Sequence, residues 1–422
     1  MTVSHWRRSA HPHPPTTLEA SVCVIGAGIC GVSAALALQK RNESFIILER
    51  HALASGASSR NAGFLMRGAA CHYAEAIDLY GRQSARDLWR FTEANLEGLR
   101  REGCESLASY RRVPSMLLAL NAGESNEAWE PDAAYAQANR AGLERSLSLM
   151  QEDGLEVGWL APGGAEAPSD SAWKSGRIAC ALVNPGDGSV NSYELMKLLA
   201  GKLRVHPALG AKVSSPILEN QEVFAIEPDG NKTLVRSADC TIRCERVLVA
   251  TNAYASLLLP QFENLVKPRR GQMLGLAANG RTLAASYYAN DGSEYFRQAA
   301  DGTIVIGGCR TYFADQEVGF EDRTTLPVQN SLESFARAML GYRKDETLPI
   351  TSRWAGTMGF SPDGLPLIGP IAPASPIWFC GGFTGHGMSM GYKAAHEAVD
   401  AMLDNREPLF ALSRIGAARP HR

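Results

Sequence analysis

The sequence predicts an α/β domain joined to a second, mainly antiparallel α+β domain, and three observations predict it. A glycine-rich turn, Gly26-Ala-Gly-Ile-Cys-Gly31, lies between an apolar run, Ser21–Ile25, and an alanine- and leucine-rich helical stretch, Val32–Gln39. A second apolar run, Phe45-Ile-Ile-Leu48, closes on Glu49-Arg50 and completes a βαβ pattern of about thirty residues. Downstream, short strand-like runs alternate with helical ones, which suits a parallel sheet interleaved with an antiparallel one.

The remaining elements follow in order. An amphipathic helical stretch runs from about Ala74 to Arg101, Arg112–Leu120 reads as a strand, and 124–153 reads as further helix. Asn191 and Glu194 have capping-box spacing ahead of a helix over Tyr193–Leu203. Short strands are expected at 212–218, 222–227, 233–237, Val247–Ala250, 271–277 and 303–308, with a helix near 330–341. Glycine and proline then dominate Trp354–Gly387, and a closing helix covers Tyr392–Leu403. His5–Thr17 reads as an irregular lead-in, where His11 and His13 lack further metal ligands, and Ser413–Arg422 as a polar, basic tail.

Composition narrows the class. At about 150 residues per domain, 422 residues suggest two or three domains. Lys and Arg total 42 against 44 Asp and Glu, so the basic excess expected of a nucleic-acid or acidic-lipid binder is lacking. The apolar runs fall short of the roughly 18 residues of a membrane span. No apolar stretch follows Arg7 and Arg8 to make a secretion signal, and the nine cysteines are dispersed. These features point to a cytoplasmic enzyme without a membrane span.

Gly26-x-Gly28-x-x-Gly31 carries the first chemistry. The first glycine permits the strand-to-helix turn, and the second lets backbone amides approach a pyrophosphate. The third allows close helix–strand packing, so that the phosphate charge meets a helix N-terminus. Glu49, 18 residues after Gly31, stands where an acid grips ribose hydroxyls. The fingerprint alone leaves FAD and NAD open. The next segment, Ser55-Gly-Ala-Ser-Ser-Arg-Asn-Ala-Gly63, flanks one Arg and one Asn with small residues, so the backbone can run against a flat ligand.

At this point the sequence resembles the D-amino-acid oxidase (DAO) family of FAD-dependent oxidoreductases, which includes glycine oxidase, sarcosine oxidase and gamma-glutamylputrescine oxidoreductase. Further motifs match in order: Gly188-Ser-Val-Asn191, Val249-Ala-Thr-Asn-Ala-Tyr254, Pro268-Arg-Arg-Gly-Gln272, Ile306-Gly-Gly308, Trp354-Ala-Gly356, Ser361-Pro-Asp-Gly-Leu-Pro366 and Gly382-Phe-Thr-Gly-His-Gly-Met388. The resemblance covers 18–403, between the lead-in 1–17 and a tail 404–422. It implies a discontinuous, Rossmann-like FAD-binding domain near 18–70, 180–265 and 350–405, with a mainly antiparallel substrate domain over 71–179 and 266–349.

By that resemblance, Gly26, Ala27, Gly28, Ile29 and Gly31 hold the pyrophosphate, and Glu49 and Arg50 lie at the adenosine. Val223 offers backbone contacts to adenine, and Ala250 and Thr251 also bind the cofactor. Ala57, Ser58, Arg60 and Asn61 run along the phosphates and isoalloxazine, and Met358, Gly385, His386, Gly387 and Met388 border the ring. The implied reaction is hydride loss from a carbon bearing an amine to flavin N5, giving an imine that water hydrolyses. The electron acceptor, O2 or another, is left open. The competing readings are an NAD-dependent dehydrogenase and a non-catalytic FAD-binding protein.

Two departures from the family bear on substrate. The arginine that follows Trp-x-Gly in its amino-acid oxidases, a carboxylate clamp, is missing from Trp354-Ala-Gly-Thr-Met-Gly359, and Ser389 stands where the sarcosine-oxidase branch carries lysine. The substrate is therefore an amine, or an amino acid whose carboxylate binds elsewhere. Arg67, Arg310 and Arg353 remain as anion partners, each with a structural salt bridge as its alternative. Gly356 stands where sarcosine oxidase tethers its flavin through cysteine, which implies noncovalent FAD, and Cys309 reads as a packed thiol. His386 either tunes the flavin or the amine, or shapes its loop. Tyr287, Tyr288, Tyr295 and Tyr312 read as pocket wall or as core.

Overall fold

The computed structural model describes residues 16–69, 71–123, 125 and 127–417, so that the lead-in histidines His11 and His13 lie outside the described residues. One eight-stranded sheet runs, from edge to edge, Leu367–Pro370, Ile377–Gly381, Cys240–Val249, Thr16–Ile25, Phe45–Leu48 and Ile217–Leu218. The hairpin Ala225–Asp229 and Lys232–Arg236 pairs onto the strand Cys240–Val249. Thr16–Ile25 is parallel to both of its neighbours, and its residues alternate between two cores. Val22 and Val24 face the side covered by the helices Ile29–Lys40 and Gly387–Asp404, while Cys23 and Ile25 face the other side. Burial on both faces is why these strands read as continuous apolar runs.

The second eight-stranded sheet has the order Ile350–Phe360, Lys267–Leu276, Ile304–Gly308, Glu294–Gln298, Ser286–Ala289, Ser115–Leu120, Ile178–Asn184 and Gly158–Leu160. Its pairs are antiparallel except Ser286–Ala289 with Ser115–Leu120. One face packs Leu274, Tyr287, Phe296 and Ile306 against Val328, Leu332 and Phe335 of the helix Leu326–Leu340. The alternating neighbours Met273, Tyr288, Tyr295 and Val305 gather on the opposite face with Phe64.

Several local expectations need correction. The stretch from Ala74 to Arg101 is two helices, Tyr73–Tyr80 and Arg82–Arg101, because Gly81 takes φ +83° and turns the chain. The helix expected over 124–153 begins at Ala133, where Asp132 caps it by accepting from the Tyr135 N–H. Of 212–218 only Ile217–Leu218 is strand. Ile178–Asn184 and Ile350–Phe360 both pair in the second sheet. The described part of the tail is docked: the Leu412 N–H donates to the Ile368 carbonyl, and Arg414 pairs with Asp363. Asn191 does cap its helix, accepting from the Tyr193 and Glu194 N–H groups. Among the described residues, no helix is long and apolar enough to cross a membrane, and no cluster of His, Cys, Asp and Glu is placed to hold a metal ion.

A buried ion pair ties the strand Lys267–Leu276 to the segment after Ile304–Gly308. Arg270, 2% exposed, donates to fully buried Glu317 at 2.8 Å, and the same carboxylate accepts from Gln272 and Thr325. Arg270→Met leaves this carboxylate uncompensated and is expected to cost about 3–5 kcal/mol, whereas pairing it with Glu317→Leu restores much of the loss. Urea denaturation of the two variants checks this, and equal destabilisation contradicts it.

Candidate active site

A cavity of about 890 Å³ runs between the ends of the first sheet's strands and the tyrosine-bearing face of the second sheet. That size suits a cofactor-and-substrate site, for which roughly 300–1,000 Å³ is usual. At one end the glycine turn is built by close approach. An added Cβ at Gly31 would lie 1.8 Å from the Gly26 carbonyl oxygen, and Gly26 itself has φ +103°. The Ile29 N–H donates to Ser58 Oγ at 2.8 Å, and Gly28 caps the helix without a side chain. Glu49, ending its strand, accepts from the Ala27 and His51 N–H groups.

Gly26, Gly28, Ile29, Glu49, Arg50, Ala57, Ser58, Arg60, Asn61, Val223, Ala250, Thr251, Met358, Gly385, His386, Gly387 and Met388 all border this cavity, as does Arg310. Ala27 and Gly31 stand behind the wall, where Gly31 serves helix–strand packing. Arg60 and Asn61 donate to nearby backbone. Arg60 bonds the Ser55 and Ala355 carbonyls, and Asn61 Nδ2 bonds those of Ala57 and Ser58. Arg60 also reaches Asp322 at 3.5 Å, and the Arg50 guanidinium lies 4.6 Å over the Tyr254 ring.

The three arginines separate cleanly. Arg353 lies off the cavity, held by Glu333 at 2.7 Å and by Gln329 from the helix Leu326–Leu340, the salt-bridge alternative of the two read for it. Arg67 is buried against Asp187 and Glu93. Arg310 lines the cavity, half-buried, with its guanidinium 4.7 Å from the Phe360 ring centre and no carboxylate partner among the described residues. Burial pulls the Arg310 pKa below its usual value and Arg269 adds to the fall, against a smaller pull upward from Tyr295 and from Glu317, whose carboxylate is already engaged by Arg270.

His386 precedes the helix Gly387–Asp404, and its Nδ1 meets the Thr384 carbonyl at 3.2 Å. That contact makes Nδ1 the protonated nitrogen and leaves Nε2 an acceptor. Burial holds its pKa below the usual histidine value. Its ring stacks toward Tyr288, which with Tyr295 forms an aromatic wall together with Phe64. Burial pushes the Tyr295 phenol up to about 12. Tyr287 instead belongs to the core, bonded to Asp170, and the Cys309 thiol is buried. Tyr288 and Tyr295 flank a strand turn whose Asp291, Gly292 and Ser293 also reach the cavity, none of them singled out from the sequence. The Asn290-Asp-Gly292 turn signal was there to find them.

The residues fit FAD. Gly28 offers no side-chain cap, so beyond the Ile29 N–H that Ser58 takes the helix N-terminus faces the cavity, beside the Thr251 Oγ1, which is buried without a partner at the same end.

The comparisons with known proteins agree with the geometry. A family model described as "FAD dependent oxidoreductase" (DAO) matches residues 21–401. The chain is 24% identical over 389 residues to "Probable oxidoreductase OrdL" of Rhizobium meliloti, covering 91% of this chain and 83% of that one. It is 24% identical over 403 residues to "Glycine oxidase" of Geobacillus kaustophilus, covering 94% and 96%. The crystal structure of L-proline dehydrogenase from P. horikoshii superposes with a TM-score of 0.72 at 19% identity, covering 95% of this chain and 99% of that one.

Gly28→Val places a branched side chain where a Cβ alone would meet Ser58 Oγ at 2.9 Å, at the mouth of the glycine turn. The purified variant is expected to retain less than about a tenth of the parent's FAD at similar thermal stability. Visible absorbance per protein checks this, and full flavin content contradicts the placement.

Proposed function

Because this chain belongs to the FAD dependent oxidoreductase (DAO) family, we propose that it oxidises the C–N bond of an amino acid whose carboxylate is held by Arg310. FAD is its cofactor; the glycine turn with Thr251 and Ser58 would hold the pyrophosphate, Glu49 the ribose, Val223 the adenine, and Met358 with Gly385–Met388 the ring. Bound there without a covalent link, FAD supplies a two-electron acceptor for the hydride leaving the substrate carbon, after which water hydrolyses the imine.

The observation that carries the reading is Arg310, a half-buried guanidinium facing the cavity with no carboxylate of its own among the described residues. A desolvated cation left unpaired is costly, and an incoming carboxylate supplies a charge-assisted hydrogen bond in its place. The clamp thus moves from the strand Ile350–Phe360, where Thr357 and Met358 replace the family's arginine, to the segment after Ile304–Gly308.

The other groups position and desolvate. Tyr288 and Tyr295 present aromatic faces that exclude water from the reacting carbon. His386, kept neutral by burial, offers Nε2 as acceptor for the proton that the substrate ammonium loses before its C–H bond breaks. Amino-acid names among the relatives, glycine oxidase and L-proline dehydrogenase, support the class. The electron acceptor and a cytoplasmic setting belong to the same proposal.

Arg310→Met keeps the bulk and removes the charge. The variant is expected to lose about a hundredfold in kcat/KM for an amino acid and far less for the corresponding decarboxylated amine. Equal losses on the two substrates contradict the assignment.

A further inference from the structure

The cavity end that holds Arg310 also carries an uncompensated charge of the opposite sign. Asp291 lines the same cavity from the turn between Ser286–Ala289 and Glu294–Gln298. Its turn is firmly built. Asn290, Asp291 and Gly292 all take left-handed φ (+48°, +52° and +81°), and Asn290 Nδ2 bonds both the Trp129 carbonyl and buried Glu294. The turn is also tied to the Arg310 segment, since the Cys309 N–H donates to the Ser293 carbonyl at 2.9 Å and Thr311 Oγ1 meets Ser293 Oγ at 3.2 Å.

The Asp291 carboxylate is aimed by two donors on the helix Ala133–Glu152: the Tyr135 hydroxyl and Asn139 Nδ2, each at 2.6 Å. Neither donor carries charge, and Asp291 has no Lys, Arg or His ion partner among the described residues. Glu75, on the neighbouring helix Tyr73–Tyr80, adds to the negative field. Burial raises its pKa, His72 opposes the rise, and the Asp291 charge adds to it. Neutral donors stabilise the carboxylate where it stands without cancelling its field, so the charge remains available to a ligand.

We infer that the substrate carries a second positive charge, with its carboxylate on Arg310 and a distal ammonium or guanidinium on Asp291. This rests on the amino-acid reading above and narrows it to amino acids with a cationic side chain. Asp291 is exposed at the cavity rim, so the distal cation keeps part of its hydration and the pair contributes selectivity more than affinity.

The test is anaerobic flavin reduction of the purified holoprotein by D- and L-forms of lysine and ornithine against norleucine and norvaline. Norleucine matches lysine in chain length but has no distal cation. The basic pair is expected to show a half-saturating concentration about five- to tenfold lower, a gap that shrinks with added salt. Asp291→Asn, which keeps the shape of the turn, is expected to close the gap and leave the neutral pair unchanged. Reduction by norleucine with no advantage for lysine, or an equal loss on both in the variant, overturns the inference and leaves the amino-acid reading standing. A bound flavin that none of the amino acids reduces overturns that reading, and the inference with it.

Discussion

The contact between Gly31 and the Gly26 carbonyl is the constraint on which the rest of the site depends. With no side chain at either position, the helix Ile29–Lys40 starts directly beneath the ends of the strands Thr16–Ile25 and Phe45–Leu48. Its first N–H groups and the positive end of its dipole then meet the cavity rather than solvent. Ser58 takes the Ile29 N–H, and Glu49 takes that of Ala27, so the turn is braced from the following loop and from the next strand. A Cβ at Gly31 would push the helix out of register and disperse these donors.

The second sheet completes the cavity through strand alternation. Tyr287 and Tyr288 are consecutive, and a pleated strand sends one to the core beneath the helix Leu326–Leu340 and the other to the cavity. Met273 beside Leu274, and Tyr295 beside Phe296, repeat the pattern. The face that would be solvent-exposed in an isolated sheet is covered here by the dinucleotide-binding half. The buried pair Arg270–Glu317 and the Arg60–Asp322 contact link the segment after Ile304–Gly308 to both halves, which fixes where Arg310 stands.

Much of this was legible because it is local. The glycine turn, Glu49 at a strand end and the Asn191 cap depend on neighbours within a few residues, and so does the motif order that marks the family. What depended on distant partners was not legible. Arg67, Arg310 and Arg353 look alike in sequence; only the positions of Asp187, Glu93 and Glu333 distinguish two structural ion pairs from one unpaired cation. Ile350–Phe360 reads as part of the glycine- and proline-rich cofactor segment, yet its hydrogen bonds go to Lys267–Leu276. The Asn290-Asp-Gly292 sequence marks a turn, but the importance of Asp291 comes from what that turn faces. Gly81 is one glycine inside a long amphipathic run, and only its φ of +83° shows that it divides two helices.

We propose that one cavity joins an FAD site to a substrate end governed by Arg310. The direct measurement is a structure of the purified protein with FAD and a non-oxidisable carboxylate of amino-acid size, such as an α-hydroxy acid. Flavin is expected along the Gly26–Gly31 turn and Met358, with the carboxylate on the Arg310 guanidinium. A carboxylate held elsewhere while Arg310 points to solvent would contradict it, as would a protein that takes up no flavin.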